Sequence, residues 1–152
     1  MALGRLRFRV HFCAFSRSYS LRLPPPHMNA TELNNALLAL IEKKAELQTL
    51  TYDDARYDDV EEALHDLEDD FNDDYGTDLE AALEKVHLDL KSDTDVLLPT
   101  AYLPATLTPH KEDGVWIDSE KYPGRVRLVL RPNPARFVLT TSKGQEVELW
   151  QA

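Results

Sequence analysis

The chain carries one cysteine, Cys13, and only five glycines in 152 residues. A lone thiol excludes an intrachain disulfide framework and a cysteine-rich zinc site, and it suits a reducing compartment. So few glycines leave little backbone able to wrap a phosphate. No Gly-x-Gly-x-x-Gly, Gly-Lys-Ser/Thr or Gly-x-Ser-x-Gly pattern occurs, which removes the common nucleotide-binding and nucleophile-elbow signatures. No apolar run approaches the ~20 residues that a membrane-crossing helix needs. With no catalytic motif in view, the expectation is a protein that is not an enzyme, with no cofactor and no membrane partner.

Acid is missing altogether from residues 1 to 27, which hold Arg5, Arg7, Arg9, Arg17 and Arg22, several serines and Pro24-Pro25-Pro26 ahead of a second methionine, Met28. A basic, serine-bearing, acid-free start is the composition of a mitochondrial transit peptide and is kept out of the fold argument. Translation from Met28 and a disordered basic arm able to fold back on acidic sequence are the other readings. The expected compartment is the cytoplasm, or the mitochondrial matrix if the leader is a transit peptide. Residues 28 to 152 are expected to form a single domain, with a helical part over 28–91 and a β part over 92–152.

Base is in turn scarce in the middle. Between Asp53 and Glu80 fourteen of twenty-eight residues are acidic and Arg56 alone is basic, a net charge of −13 against −10 for the whole chain. Through this run passes the stripe Tyr57, Val60, Leu64, Leu67, Phe71, with alternating steps of three and four. That spacing predicts an amphipathic helix with an acidic solvent face, since one side has enough apolar surface to offset ordering entropy.

Helix 1 is predicted over Thr31 to Thr49, capped by Asn29 or Thr31, with Leu33, Leu37, Leu40, Ile41, Lys44 and Leu47 on one stripe broken only by the lysine. Helix 2 is predicted from Asp54 to Tyr75, after a weak Thr51-x-x-Asp54 pattern, ending at Gly76 as a left-handed C′ residue. Thr77-Asp78-Leu79-Glu80 reads as a capping box that opens helix 3, which runs to about Lys91. Beyond it, Val96 to Leu98, Val115 to Asp118, Arg125 to Arg131, Phe137 to Thr141 and Glu146 to Trp150 are short β-rich runs between Pro, Gly and Asn turns. The predicted class is α+β: three N-terminal helices, two of them a hairpin, on an antiparallel meander of four to five strands. Val126, Leu128 and Leu130 alternate with Arg125, Arg127, Val129 and Arg131, which predicts a strand with one apolar face and one mostly basic face.

Several chemistries can be weighed from spacing. Asp70, Asn72 and Asp74 match the first ligands of an EF-hand loop, but Tyr75 stands at its turn glycine and Ala81 at its bidentate glutamate,. Glu62-x-x-His65 and Glu84-x-x-His87 resemble the paired motifs of di-metal bundles, yet both fall off the apolar stripes at ~100° per residue. Lys121, Arg125, Arg127, Arg131 and Arg136, near Tyr122 and Phe137, could offer nucleic acid a basic stacking surface. The plainer reading pairs these arginines with the chain's own acidic helices, or has them keep an exposed sheet face soluble and its edge unsticky. The net negative charge argues against free nucleic acid as a partner.

The leading expectation is an interaction module that binds a basic protein surface through Asp58, Asp59, Glu61, Glu62, Asp66, Asp69, Asp70 and Asp73, all off the stripe. A calcium or di-metal protein using the helix 2 to helix 3 region, or a structural subunit of a larger assembly, are the alternatives.

Overall fold

The computed structural model describes residues 28 to 152; the leader and its possible fates lie outside the described residues. The described residues form α1 (Ala30–Gln48), α2 (Tyr57–Asp89), a short 3-10 turn (Pro99–Tyr102) and four strands, β1 (Val115–Ile117), β2 (Val126–Arg131), β3 (Arg136–Thr141) and β4 (Glu146–Gln151). The class is α+β, as the change of periodicity predicts. None of the described helices is long and apolar enough to cross a membrane.

α1 begins where its sequence says it should. The Asn29 carboxamide oxygen accepts from the amides of Thr31 and Glu32 at 3.0 and 3.2 Å, covering two donors that would otherwise have no partner. Leu33, Leu37, Leu40 and Ile41 are buried on one face. The chain turns through Leu50 to Arg56, and α2 starts at Tyr57 rather than Asp54. Thr51 and Asp54 close a turn through their backbone, and the Asp54 carboxylate accepts the Arg56 amide at 2.9 Å. That bond, with the adjacent guanidinium, holds the Asp54 carboxyl below the usual carboxylate range.

Among the described residues two α-helices form where three were expected. α2 is unbroken for 33 residues, ~50 Å of rise, and passes straight through Gly76 and Thr77,. Gly76 has no positive φ, so it is neither a C′ stop nor the prelude to a capping box. The reason is packing. Phe71, Leu79, Leu83, Val86 and Leu90 are all buried in the one core cluster, in a phase that continues across Gly76 by way of Tyr75. Burying each large side chain contributes about 1.5–3 kcal/mol, whereas a cap is worth about 1 kcal/mol and an internal glycine costs about as much.

A sign test follows from that helix. A Cβ added at Gly76 meets nothing closer than the Asn72 Cβ at 3.8 Å, an ordinary contact. Gly76→Ala should therefore raise stability by about 0.5–1 kcal/mol, read as a shift of the urea midpoint at constant slope. At a left-handed stop the same substitution would destabilise, so a lowered midpoint would refute the continuous helix.

The four strands form an antiparallel meander in the order β1-β2-β3-β4. Val126, Leu128, Leu130, Phe137 and Leu139 face the helices and join Leu33, Leu37, Leu79 and Leu83 in the core. Val96 to Leu98 is not a strand; it is an exposed connector that leads into the 3-10 turn at Pro99. The β2–β3 turn is tied to α1 by the Asn34 side chain, which accepts the Asn133 amide at 2.7 Å and donates to the Asn133 side chain.

The outer face of β2 differs from the expected basic, wet surface. Val129 and Arg131 are buried because the segment before β1 folds back over them. Asp113 anchors that segment: its carboxylate accepts the amides of Ala105 (3.3 Å) and His110 (2.8 Å) and pairs with Arg131 Nη1 at 2.8 Å. Gly114 is required next to it. Its φ is +85°, and a Cβ there would lie 2.2 Å from the Leu128 carbonyl oxygen.

Candidate functional site

Seven of the eight acidic candidates on α2, all but the half-buried Glu61, are exposed, while Val60, Leu64 and Phe71 beneath them are buried. The register of the acidic face is thus the one the stripe predicts. Asp58 and Asp59 lie in the first turn, where the helix dipole favours negative charge. None of the eight takes part in an ion pair among the described residues; nearby pairs are Arg56 with Asp54 and, when the imidazole is protonated, His65 with Glu68. Among the described residues, no side chain pairs with these carboxylates to offset the field of this face. Tyr57, beneath its start, has its hydroxyl proton held more tightly than usual, first by a hydrogen bond shared with Tyr52, then by desolvation and by Glu61 and Asp58.

Continuity of α2 also decides how the metal-ligand spacings lie in space. Glu62-x-x-His65 and Glu84-x-x-His87 share one helix about six turns, ~33 Å, apart, and Asp70, Asn72 and Asp74 stay helical instead of forming a loop. Among the described residues no three His, Cys, Asp or Glu side chains converge to hold a metal ion.

His87 has a place that its spacing did not reveal. It is buried, with Nδ1 3.1 Å from the Thr94 carbonyl and Nε2 3.5 Å from the Tyr102 hydroxyl, which in turn accepts the Leu97 amide at 3.1 Å. A carbonyl can only accept, so Nδ1 carries the proton and Nε2 accepts from Tyr102. Burial pulls the imidazole pKa down, partly offset by the Thr94 bond, and pushes the Tyr102 hydroxyl up. The neutral ring fastens the Ser92 to Leu98 connector to α2. It borders a cavity of about 400 Å³ that Leu88 and Val96 also line.

The basic residues of the sheet divide. Arg131 is spent on Asp113 and on Glu146 at 2.9 Å, and Arg136 reaches Glu148 and the carbonyls of Pro132 and Pro134. Their partners belong to the sheet and its covering loop, not to the acidic helices as the sequence suggested. Phe137 is buried and cannot stack on a nucleic acid base. Arg125 and Arg127 remain at the surface. Their guanidinium carbons lie 5.6 and 4.0 Å from the ring centre of Trp116, an arrangement worth about 0.5–1 kcal/mol for an exposed cation over an aromatic face. Sequence reading missed Trp116 because β1 is only three residues long; its cross-strand pairing with Arg127 appears only once register is known.

Comparisons with protein-family models, with curated proteins and with solved structures find no match to this chain.

Proposed function

We propose that this chain is a non-enzymatic protein–protein interaction module that engages a basic partner surface through the acidic face of α2. The observation that carries the reading is the row Asp58, Asp59, Glu62, Asp66, Asp69, Asp70 and Asp73, exposed on a helix and, among the described residues, without a cation paired to any of them. A fixed negative field of this kind speeds encounter with basic surfaces and selects among them. An ordered helix also presents its charges without the ordering cost that a disordered acidic segment would meet on binding.

Binding should be strongly salt-dependent, since the Debye length falls from ~8 Å at physiological ionic strength to ~3 Å at 1 M. The test is affinity capture from lysate at low and high salt, beside a variant carrying Asn or Gln at the eight acidic positions. The wild-type chain is expected to retain a basic protein at low salt and release it at high salt, and the neutralised variant, with an unchanged circular dichroism spectrum, to retain none. Equal capture by both chains, or capture indifferent to salt, would sink the proposal.

A further inference from the structure

On the outer face of the sheet, register places Trp116, Arg127 and Thr140 side by side, since Trp116 pairs with Arg127 and Arg127 with Thr140. They line a recess of about 240 Å³ together with Lys111, Arg125 and Ser142. A water takes up ~30 Å³ of liquid, so the recess has room for a small polyatomic group. Glu112 also lines it, so the residues around the recess include three cationic ones and one acidic one.

Two features mark the recess as more than a rough patch. Thr140 is 5% exposed, and its buried Oγ1 has no hydrogen-bond partner among the described residues. An unpaired buried hydroxyl is costly, and native folds rarely leave one without cause. Arg127, beside it, is preorganised. Its Nη1 donates to the carbonyls of Glu112 (2.6 Å) and Gly114 (3.3 Å), which fixes the guanidinium plane over Trp116 and leaves Nε and Nη2 without a hydrogen-bond partner among the described residues.

From these we infer that the recess is a binding site for a phosphoryl group, either free phosphate or a phosphomonoester such as a phosphorylated side chain. Cations and a buried O–H donor are all groups that donate to an oxyanion, and the guanidinium fork suits a tetrahedral dianion. Thr140 supplies a donor that a merely electrostatic patch would lack. Nothing in this inference depends on the acidic face of α2, with which the recess shares no residue.

The test is titration of residues 1–152 with inorganic phosphate, O-phosphoserine, sulfate and a short oligothymidylate at matched ionic strength. Calorimetry and Trp116 fluorescence serve as readouts, with Trp116→Phe assigning the signal. Phosphate and phosphoserine are expected to saturate the site, and tighter binding of phosphoserine would identify an ester as the ligand. Thr140→Val and the exposed Arg125→Gln should each weaken that binding ~10-fold. Thr140→Val should also raise the melting temperature by a few degrees, because a methyl replaces the unpaired hydroxyl. No saturation by ~50 mM of either phosphoryl probe, affinity unchanged in both variants, or binding of the oligothymidylate alone would each overturn the assignment, the last in favour of a nucleic-acid surface.

Discussion

Asp113→Ala is expected to destabilise the fold by about 3–5 kcal/mol, because it removes the buried partner of a buried guanidinium and leaves only a solvent-screened one. The side chains of Arg131 and Asp113 are 5% and 3% exposed and meet at 2.8 Å. The substitution also takes the acceptor from the amides of Ala105 and His110. Glu146, the second partner of Arg131, is 38% exposed, so water screens it and Glu146→Ala should cost only about 1 kcal/mol or less. Adding Arg131→Met to Asp113→Ala should recover part of the loss, since no cation is then left buried without its buried counter-charge. Urea unfolding of the three variants checks the order. A loss below ~1 kcal/mol for Asp113→Ala would mean that the loop before β1 does not cover the sheet as described.

Phe137→Ala should cost about as much, ~3–5 kcal/mol, by a different mechanism. Phe137 is fully buried on the helix side of β3, edge-on to Tyr102 at 6.1 Å and tilted against Trp150 at 5.5 Å. Removing the ring takes away its transfer free energy and opens a cavity among side chains from β3, β4 and the 3-10 turn, which cannot all collapse into it. Because Tyr102 holds both His87 and the Leu97 amide, the connector should loosen along with the core. Thermal unfolding should show the lowered midpoint, and hydrogen exchange should show faster exchange of the Leu97 amide than in the wild-type chain. An unchanged Leu97 rate would separate the connector from the core.

Strand and helix types were legible where one period ran undisturbed. Val126 to Leu130 alternates and pairs antiparallel with Phe137 to Leu139, and Tyr57 to Phe71 sits on its predicted face. The error at Gly76 came from weighing local chemistry above phase. Gly76, Thr77 and Glu80 are the residues of a helix stop and start, yet Phe71, Tyr75, Leu79 and Leu83 recur every four positions through them. Val96 to Leu98 failed for the opposite reason. Three apolar residues can read as strand, but without a partner strand their amides find other acceptors, here the Tyr102 hydroxyl.

Of the surfaces, the acidic one was visible at once, because exposure of a charged helix face follows from periodicity within a single element. The recess at Thr140 was invisible, because its parts come from β1, β2, β3 and a loop, and only register brings them onto one face. The sequence by itself determined which segments carry apolar periodicity, the α+β class and which face of α2 is acidic, since these depend on residues a few positions apart. Tertiary structure alone decided that α2 continues through a glycine, that Arg131 is buried on Asp113, and that Trp116, Arg127 and Thr140 are neighbours. Each of those outcomes rests on contacts between residues distant in the chain, whose burial and pairing energies outweigh local preferences of about 1 kcal/mol.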